Sequence, residues 1–148
     1  MIYTIGYQAL TPERLLAIAA HLRAGILDVR HKPVSRKPGF GGRQLAQACQ
    51  AAGIAYRQAG DRLGGNGHTS DAGIAGLRQA EAAGEVWMLL CMEHAPGDCH
   101  RHHAICGPHF PEAIHLYNRE MVRAADLQVA LDTDAEDYPL VGELPPDL

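Results

Sequence analysis

Hydrophobic residues along the chain follow two periods, one typical of strands and the other of amphipathic helices. Ile2–Gly6 is short and rich in β-branched residues, whereas Leu15, Ala19 and Leu22 recur at helical spacing. The alternation between the two patterns continues towards the C-terminus. We predict strands over 2–6, 26–30, 54–58 and 85–91, and helices after Thr11, over 43–52 and over 71–83, ended by Gly25, Gly53 and Gly84.

The segment 85–91 is the most continuously apolar stretch, which is typical of a central parallel strand. After it, Asp98 is the predicted N-cap of a fourth helix that runs from Cys99 to about Gly107, where Pro108 stops it. A strand pair over 114–118 and 120–124 and a short helix over 126–131 follow. From about residue 133 we predict an acidic, flexible tail.

Strands that alternate with helices predict an α/β fold with right-handed crossovers. We expect a single domain over 1–148, built as a three-layer Rossmann-like structure. Its mostly parallel sheet would have about five strands, helices on both faces and a C-terminal hairpin. In open sheets of this kind, ligands bind outside the carboxyl ends of the strands.

Composition narrows the class of protein. The chain is 47% hydrophobic and 5% aromatic, which is enough for a core built mainly from aliphatic side chains. No apolar run approaches the roughly 20 residues that span a bilayer, and the N-terminus lacks the basic region of a signal peptide. We therefore predict a cytoplasmic protein without membrane contact, and leave open whether it forms a homo-oligomer.

Charge is distributed unevenly between the two parts of the chain. Residues 1–62 hold nine Lys/Arg and three Asp/Glu, whereas residues 63–148 hold four and fourteen. One interpretation is a basic crevice for a small anionic ligand or a nucleic-acid component, and the other is a solvated surface. The sequence does not decide between them.

Unusual side chains collect after the strands, at the edge where ligands bind. Cys99 would lie at a helix N-terminus, where a thiol pKa is lowered, so it is a candidate nucleophile, with Cys91 as the alternative. Glu93 and His100 are candidate proton carriers. The predicted substrate-binding residues are Gly6, Tyr7, Asp28, Arg30, Ser35, Arg36, Tyr56, Gly64, Gly65 and Arg101.

Some of these residues have a simpler interpretation. Asp28 and Arg30 could form a buried structural ion pair, Tyr56 could belong to the core, and the loop 64–67 could be a flexible connection. Three arginines, Arg30, Arg36 and Arg101, could instead clamp a phosphate or carboxylate if the strand order brings them together.

A metal site is the main competing hypothesis for the cysteine-rich segment. Four residues follow helical i, i+3, i+4 and i+7 spacing, and Cys91 could approach them from the strand tip. Cysteine and histidine are ligands that suit zinc, although nothing in the sequence requires a cofactor. The alternative is packing or solvent exposure of the same side chains. The four residues are Cys99, His102, His103 and Cys106.

With these motifs assembled, the chain resembles the DUF488 family over roughly residues 2–118. The resemblance rests on TIG, on DVR followed by P-x-S-R, on GI-x-Y, on LGG, on LLC-x-E and on CHR. It implies an α/β fold and a site formed by the C-x-E and CHR residues, but no reaction. The family pattern has His-Ser after TIG, where this chain has Tyr7-Gln8.

Three function classes follow from these observations. The first is a thiol-dependent transferase or hydrolase that acts on a phosphate-bearing substrate such as a nucleotide or nucleic-acid component. The second is a module that senses a nucleotide, nucleic acid or metal without turnover. The third is a structural domain held together by zinc.

Overall fold

The computed structural model describes all 148 residues. The strands are β1 Ile2–Gly6, β2 Gly25–Asp28, β3 Tyr56–Gln58, β4 Trp87–Cys91, β5 Ile114–Tyr117, β6 Glu120–Arg123 and β7 Gly142–Glu143. The helices are α1 Pro12–Leu22, α2 Gly42–Ala52, α3 Gly60–Leu63, α4 Asp71–Ala82, α5 Gly107–His109 and α6 Ala124–Thr133. A 3-10 turn covers Pro96–Asp98, and a π-helical segment, Arg101–Cys106, leads directly into α5.

The strands form one mixed sheet of seven strands in the order β3-β2-β4-β1-β5-β6-β7. Strands β1 to β5 pair in parallel, whereas β6 and β7 add to the β5 edge in antiparallel pairs. The predicted α/β class is confirmed, but the prediction of a mostly parallel sheet of about five strands needs correction. The order also differs from the 3-2-1-4-5-6 order of a Rossmann fold.

Two hydrophobic cores lie on opposite faces of the sheet, because successive side chains of a strand point to opposite faces. In β4, Met88 and Leu90 belong to one core, and Trp87, Leu89 and Cys91 belong to the other. Helices α1 and α2 cover the first face, while α4 and the π-helical segment pack on the second. A strand buried on both sides therefore reads as one apolar run.

The predicted helix ends are confirmed in part. Thr11 caps α1 by accepting a hydrogen bond from the Arg14 amide, and Gly53 ends α2 with a left-handed φ of 70°. Gly25 was expected to end α1, but Arg23 takes the left-handed conformation instead, with φ of 53°, and Gly25 begins β2. A bulky residue at Gly25 would collide with the Trp87 ring, 2.6 Å from the position of a β-carbon.

The predicted fourth helix is wrong at its start. Cys99 is extended, with φ of −132° and ψ of 146°, and Asp98 ends the 3-10 turn instead of capping a helix. The helical segment begins at Arg101 and is π-helical, and its last bond runs from the Gly107 amide to the His102 carbonyl. Pro108 contributes to this register because it has no amide hydrogen for an α-type bond.

The predicted flexible tail is also partly ordered. β7 lies within it and pairs with β6, and Leu144 is buried in the first core. The guanidinium of Arg119 donates to the carbonyls of Leu144, Pro145 and Pro146. No helix of the structure combines the length and the apolar character needed to cross a membrane.

Candidate functional site

Two thiols and one imidazole meet at the carboxyl end of β4. Cys91 ends the strand, and Cys99 and His100 return to it after the loop over 92–98. The His100 Nδ1 atom lies 3.8 Å from both the Cys91 and the Cys99 sulfur. Both thiols are buried, with exposed fractions of 5% for Cys91 and 2% for Cys99. We call these three residues the thiol cluster.

The orientation of His100 is set by the backbone on its far side. Its Nε2 atom lies 3.1 Å from the Val29 carbonyl and 3.0 Å from the Leu63 carbonyl. Because a carbonyl can only accept, Nε2 carries a hydrogen. The Nδ1 atom therefore faces the two sulfurs either as a base or, when protonated, as a donor to a thiolate.

Within the thiol cluster, the pKa values of the two sulfurs are shifted in opposite directions. The neighbouring Cys91 thiol lowers the pKa of Cys99 against the effect of burial, and His100 and the Arg101 charge lower it further. The Cys99 thiol in turn raises the pKa of Cys91, together with burial and the Glu93 charge. Burial alone would lower the pKa of His100, but its bond and attraction to the Cys99 thiolate raise it. The arrangement favours a Cys99 thiolate beside an imidazolium.

Glu93 and Arg101 complete the surroundings of the thiols. The Cys91 thiol donates towards the Glu93 carboxylate over 3.2 Å, and the Arg101 amide lies 3.5 Å from the Cys99 sulfur. The Arg101 side chain is fully buried and donates to the carbonyls of Glu93, at 2.7 Å, and His94, at 3.0 Å. Arg101 therefore holds the turn that carries Glu93.

Two glycine motifs let the backbone pack closely around this edge. A β-carbon on Gly6 would lie 1.7 Å from the Glu93 carbonyl oxygen, which no side chain tolerates. A β-carbon on Gly64 would lie 2.3 Å from the Gly60 carbonyl oxygen, and one on Gly65 would lie 3.2 Å from His100 Nδ1. The predicted binding residues Gly6, Gly64 and Gly65 thus serve close packing, with only Gly65 directly beside the imidazole.

Asp28 and Arg30 form the buried ion pair that was the alternative hypothesis. The Arg30 guanidinium donates twice to the Asp28 carboxylate, at 2.8 and 2.6 Å, and once to the Phe40 carbonyl, at 2.6 Å. The Tyr56 hydroxyl donates to the same carboxylate at 2.5 Å. Burial lowers the pKa of Arg30, but the bond and the charge of Asp28 raise it by more, so the net shift is upward. Burial and Asp28 both raise the pKa of Tyr56. These residues anchor the loop that ends at Phe40.

The three predicted arginines do not converge on one pocket. The donors of Arg30 and Arg101 are occupied by protein groups, whereas Arg36 is exposed and forms no salt bridge. Arg36 borders a cleft of about 510 Å³ together with Tyr7, Ser35 and Met92, the residue after Cys91. The Tyr7 hydroxyl donates to the Ser35 hydroxyl at 3.0 Å. Of the predicted clamp, Arg36 alone is available to a ligand.

A second cleft, of about 230 Å³, reaches the imidazole itself. His100 and Gly65 line it, and the loop over 64–67 that follows α3 forms its rim. This loop is tied down by a bond from the Thr69 hydroxyl to the Gly64 carbonyl at 2.8 Å. Of the thiol cluster, His100 lines this cleft, and Cys91 and Cys99 do not.

The residues that could hold a metal differ from the predicted set. Cys91, Cys99 and His100 each offer a ligand atom, and these atoms lie within 4.8 Å of one another. The predicted ligands His102, His103 and Cys106 do not join them, because the π-helical segment changes the spacing on which the prediction depended. His103 is exposed, and its Nε2 bonds to the Gly97 carbonyl at 2.6 Å.

His102 instead belongs to a buried hydrogen-bonded chain that the sequence analysis missed. The chain runs from Arg101 Nε to Thr4 Oγ1 (3.1 Å), to His115 Nδ1 (2.7 Å), from His115 Nε2 to His102 Nδ1 (3.0 Å), and from His102 Nε2 to Gln128 Oε1 (2.9 Å). We call it the histidine chain. His115 lies in the apolar strand β5, and a single polar residue in such a strand was the available signal.

Each bond of the histidine chain is donated in the same direction, from Arg101 towards Gln128. Arg101 can only donate and the Gln128 oxygen can only accept, so each imidazole carries its hydrogen on Nε2 and accepts on Nδ1. Both histidines are therefore neutral. Consistently, burial lowers the pKa of His102, and it lowers the pKa of His115 to about 3, with help from His102 and Arg101.

The fold and this geometry define a class: an α/β protein with a dithiol–imidazole cluster at the carboxyl edge of its sheet. The family model for DUF488, a domain of unknown function, matches residues 14–75. The predicted resemblance to DUF488 is thereby confirmed over that segment, which carries Asp28, Arg30, Tyr56 and the Gly64-Gly65 pair and ends before Cys91. No curated protein and no solved structure matches the chain.

Proposed function

We propose that this protein is a thiol-dependent transferase or hydrolase that acts on a phosphate-bearing substrate, such as a nucleotide or nucleic-acid component. The observation that carries the proposal is the position of His100 Nδ1, 3.8 Å from both sulfurs, with Nε2 held by two carbonyls. A nucleophile beside an oriented base is the arrangement that activates thiols in covalent catalysis.

Each residue of the cluster takes a distinct role in this proposal. The Cys99 thiolate attacks phosphorus and displaces an oxygen leaving group, which takes the proton from His100 Nδ1. A water molecule or acceptor hydroxyl then attacks the phosphorus and forms a new phosphorus–oxygen bond, the phosphorus–sulfur bond breaks to release the Cys99 thiolate, and the proton of the attacking oxygen returns to His100 Nδ1. The Cys91 thiol donates to the Glu93 carboxylate, which fixes Cys91 beside the imidazole.

The phosphate preference rests on the exposed cation of the cleft that Met92 lines. Arg36 is exposed beside Met92, which follows Cys91, and the neighbouring Ser35 offers a hydroxyl. Val34 and Met92 expose 74% and 47% of their surface at the same cleft, so an apolar ring such as a base could pack there. A cation with no ion-pair partner next to an apolar surface suits an anion with an aromatic body.

The test is turnover of p-nitrophenyl phosphate and of the p-nitrophenyl ester of thymidine 5′-monophosphate. We expect Cys99→Ser to lower kcat/KM by about 10² or more, whereas Cys49→Ser, a buried cysteine of α2, keeps it. Intact-mass analysis should detect a phosphorylated wild-type chain. Equal turnover by Cys99→Ser, or no turnover and no adduct from the wild type, would contradict the proposal.

A metal centre is the second candidate, favoured by the mutual distances within the thiol cluster. Two thiolates and an imidazole supply three zinc ligands and leave a fourth position for Glu93 or water. Metal analysis of the purified protein separates the candidates. One zinc per chain, lost in Cys91→Ser and in Cys99→Ser, would support the metal centre and overturn the nucleophile.

A further inference from the structure

A separate cleft of about 320 Å³ opens beside the carboxyl ends of β1 and β5. None of Cys91, Cys99 and His100 lines it. Its apolar wall includes Leu10, Ile18, Leu116 and Leu144, which come from four different parts of the chain. Its volume is within the range of small-molecule sites, at the lower end.

Arg14 of α1 carries the one unsatisfied donor of this cleft. Its Nε atom is buried, and among the buried side-chain nitrogen and oxygen atoms it alone has no hydrogen-bond partner. Every other buried polar side chain, including the fully buried Arg101, has a partner within the protein. Because Nε itself has almost no accessible surface, a ligand would meet the half-buried Arg14 side chain through the rest of its guanidinium, whose positive charge suits an anion.

The charges of the cleft specify the ligand further. Arg14 and Arg119 both line it, and no aspartate or glutamate does. Arg119 is held in place by three carbonyls of the C-terminal segment, so its charge is fixed as part of the wall. Two guanidinium groups above an apolar wall suit an anionic group joined to an apolar body.

We infer that this cleft binds a small organic anion, with a carboxylate or phosphate group at Arg14 and a short apolar body against Leu10, Ile18 and Leu116. The inference is independent of the thiol chemistry, because it uses none of the residues of the thiol cluster.

The test measures binding of hexanoate and hexyl phosphate to the full chain by isothermal calorimetry and by amide chemical shifts. 1-Hexanol supplies the apolar body alone, and acetate and inorganic phosphate supply the anionic groups alone. We expect at least one six-carbon anion to bind and to shift the amides of α1 and β5, and each isolated part to bind at least about tenfold more weakly. The preferred six-carbon anion identifies the head group as carboxylate or phosphate.

Arg14→Met is the decisive variant, because it keeps an unbranched apolar stem that reaches about as far as Nε and removes the guanidinium, including the unsatisfied donor. We expect it to weaken binding by about tenfold or more while unfolding at the same or a higher denaturant concentration. Arg43→Gln, an exposed arginine of the neighbouring α2, should bind as the wild type does. Failure of both six-carbon anions to bind at millimolar concentration, or unchanged binding by Arg14→Met, would overturn the inference.

Discussion

His100 and His102 are two positions apart, yet their surroundings shift their pKa values in opposite directions. His100 faces two thiols, and the Cys99 thiolate raises its pKa, whereas His102 is bonded to His115 and its pKa is lowered. Burial disfavours the charged form in both cases. The difference shows that the nearest partner of a buried imidazole, more than its depth, decides its charge.

The two regions also differ in what they do for the site. The histidine chain has every donor and acceptor paired, and it ends on Arg101, which holds the turn carrying Glu93. The thiol cluster has a sulfur with a lowered pKa and a cleft that reaches its imidazole. One region is a fully hydrogen-bonded support, and the other contains the groups to which we assign the proposed chemistry.

A substitution that breaks the histidine chain should cause the largest loss of stability. His115→Leu removes both bonds of a fully buried imidazole and leaves His102 Nδ1 without a donor. We expect the free energy of unfolding to fall by about 3 kcal/mol, measured by urea denaturation. His21→Leu, an exposed histidine of α1, is the control and should change it by less than about 0.5 kcal/mol. A change in His115→Leu as small as that of the control would mean that the chain contributes nothing.

The thiol cluster should stabilise its thiolate less when the imidazole is replaced. His100→Gln keeps a donor for the Val29 and Leu63 carbonyls and removes Nδ1 from the sulfurs. We expect the pKa of Cys99 to rise, so that the midpoint of the thiolate absorbance at 240 nm in a pH titration moves up by at least about one unit, which corresponds to about 1.4 kcal/mol. His103→Gln, an exposed neighbour, should keep the wild-type midpoint. An unchanged midpoint in His100→Gln would remove His100 from the ionisation of the thiols.

Acid should distinguish the two regions. The pKa values of His102 and His115 are lowered in the folded protein, so the unfolded chain binds more protons below about pH 6.5. Their contribution to stability is complete above that pH and is lost as the pH falls. His100 has a raised pKa, so its contribution is present at low pH and is lost as the pH rises through its folded pKa.

The measurement is the slope of unfolding free energy against pH between about pH 4 and 6. His115→Leu should have a slope smaller than that of the wild type by one proton, about 1.4 kcal/mol per pH unit. Carboxylates titrate in both proteins and cancel in the difference. Identical slopes would show that His115 is not kept neutral by the fold.

Gly65→Ala should give the smallest effect and act on the thiol cluster alone. The added β-carbon would lie 3.2 Å from His100 Nδ1, so the imidazole must shift by a few tenths of an ångström. We expect a loss of about 1 kcal/mol in stability and a partial loss of thiolate absorbance. Gly76→Ala, whose β-carbon meets no atom within 4 Å in α4, should stabilise the protein by up to about 1 kcal/mol. Full thiolate absorbance in Gly65→Ala would show that the imidazole accommodates the added β-carbon without losing its position beside the sulfurs.

Local sequence signals predicted much of this fold. Strand β4 was visible as an apolar run, and the Thr11 and Gly53 signals placed helix ends, because each depends on its neighbours in the chain. Cys91, Glu93, Cys99, His100 and Arg101 were predicted to share one edge, and the structure brings them together. The antiparallel β7 and the burial of Leu144 depend on pairing with β6, which carries no local signal.

The roles of individual residues were harder to predict than their location. Arg30 and Arg101 read as ligand-binding cations, but their partners are a carboxylate two residues away and carbonyls of a turn. The π-helical register moved His102 away from the thiols, and Thr4 and His115 join it from distant strands. Such networks depend on strand order and register, which the spacing of residues along the chain does not specify.

The most direct test is nitrogen-15 NMR of the imidazole rings in the labelled protein at pH 7, which reports the protonation of each ring nitrogen. We predict that His100 carries hydrogen on both nitrogens, as the partner of a thiolate, while His102 and His115 carry it on Nε2 only. Replacement of Cys99 by serine should return His100 to a neutral ring and leave the other two unchanged. A neutral His100 in the wild type, or a charged His102 or His115, would contradict the opposite roles of the two regions.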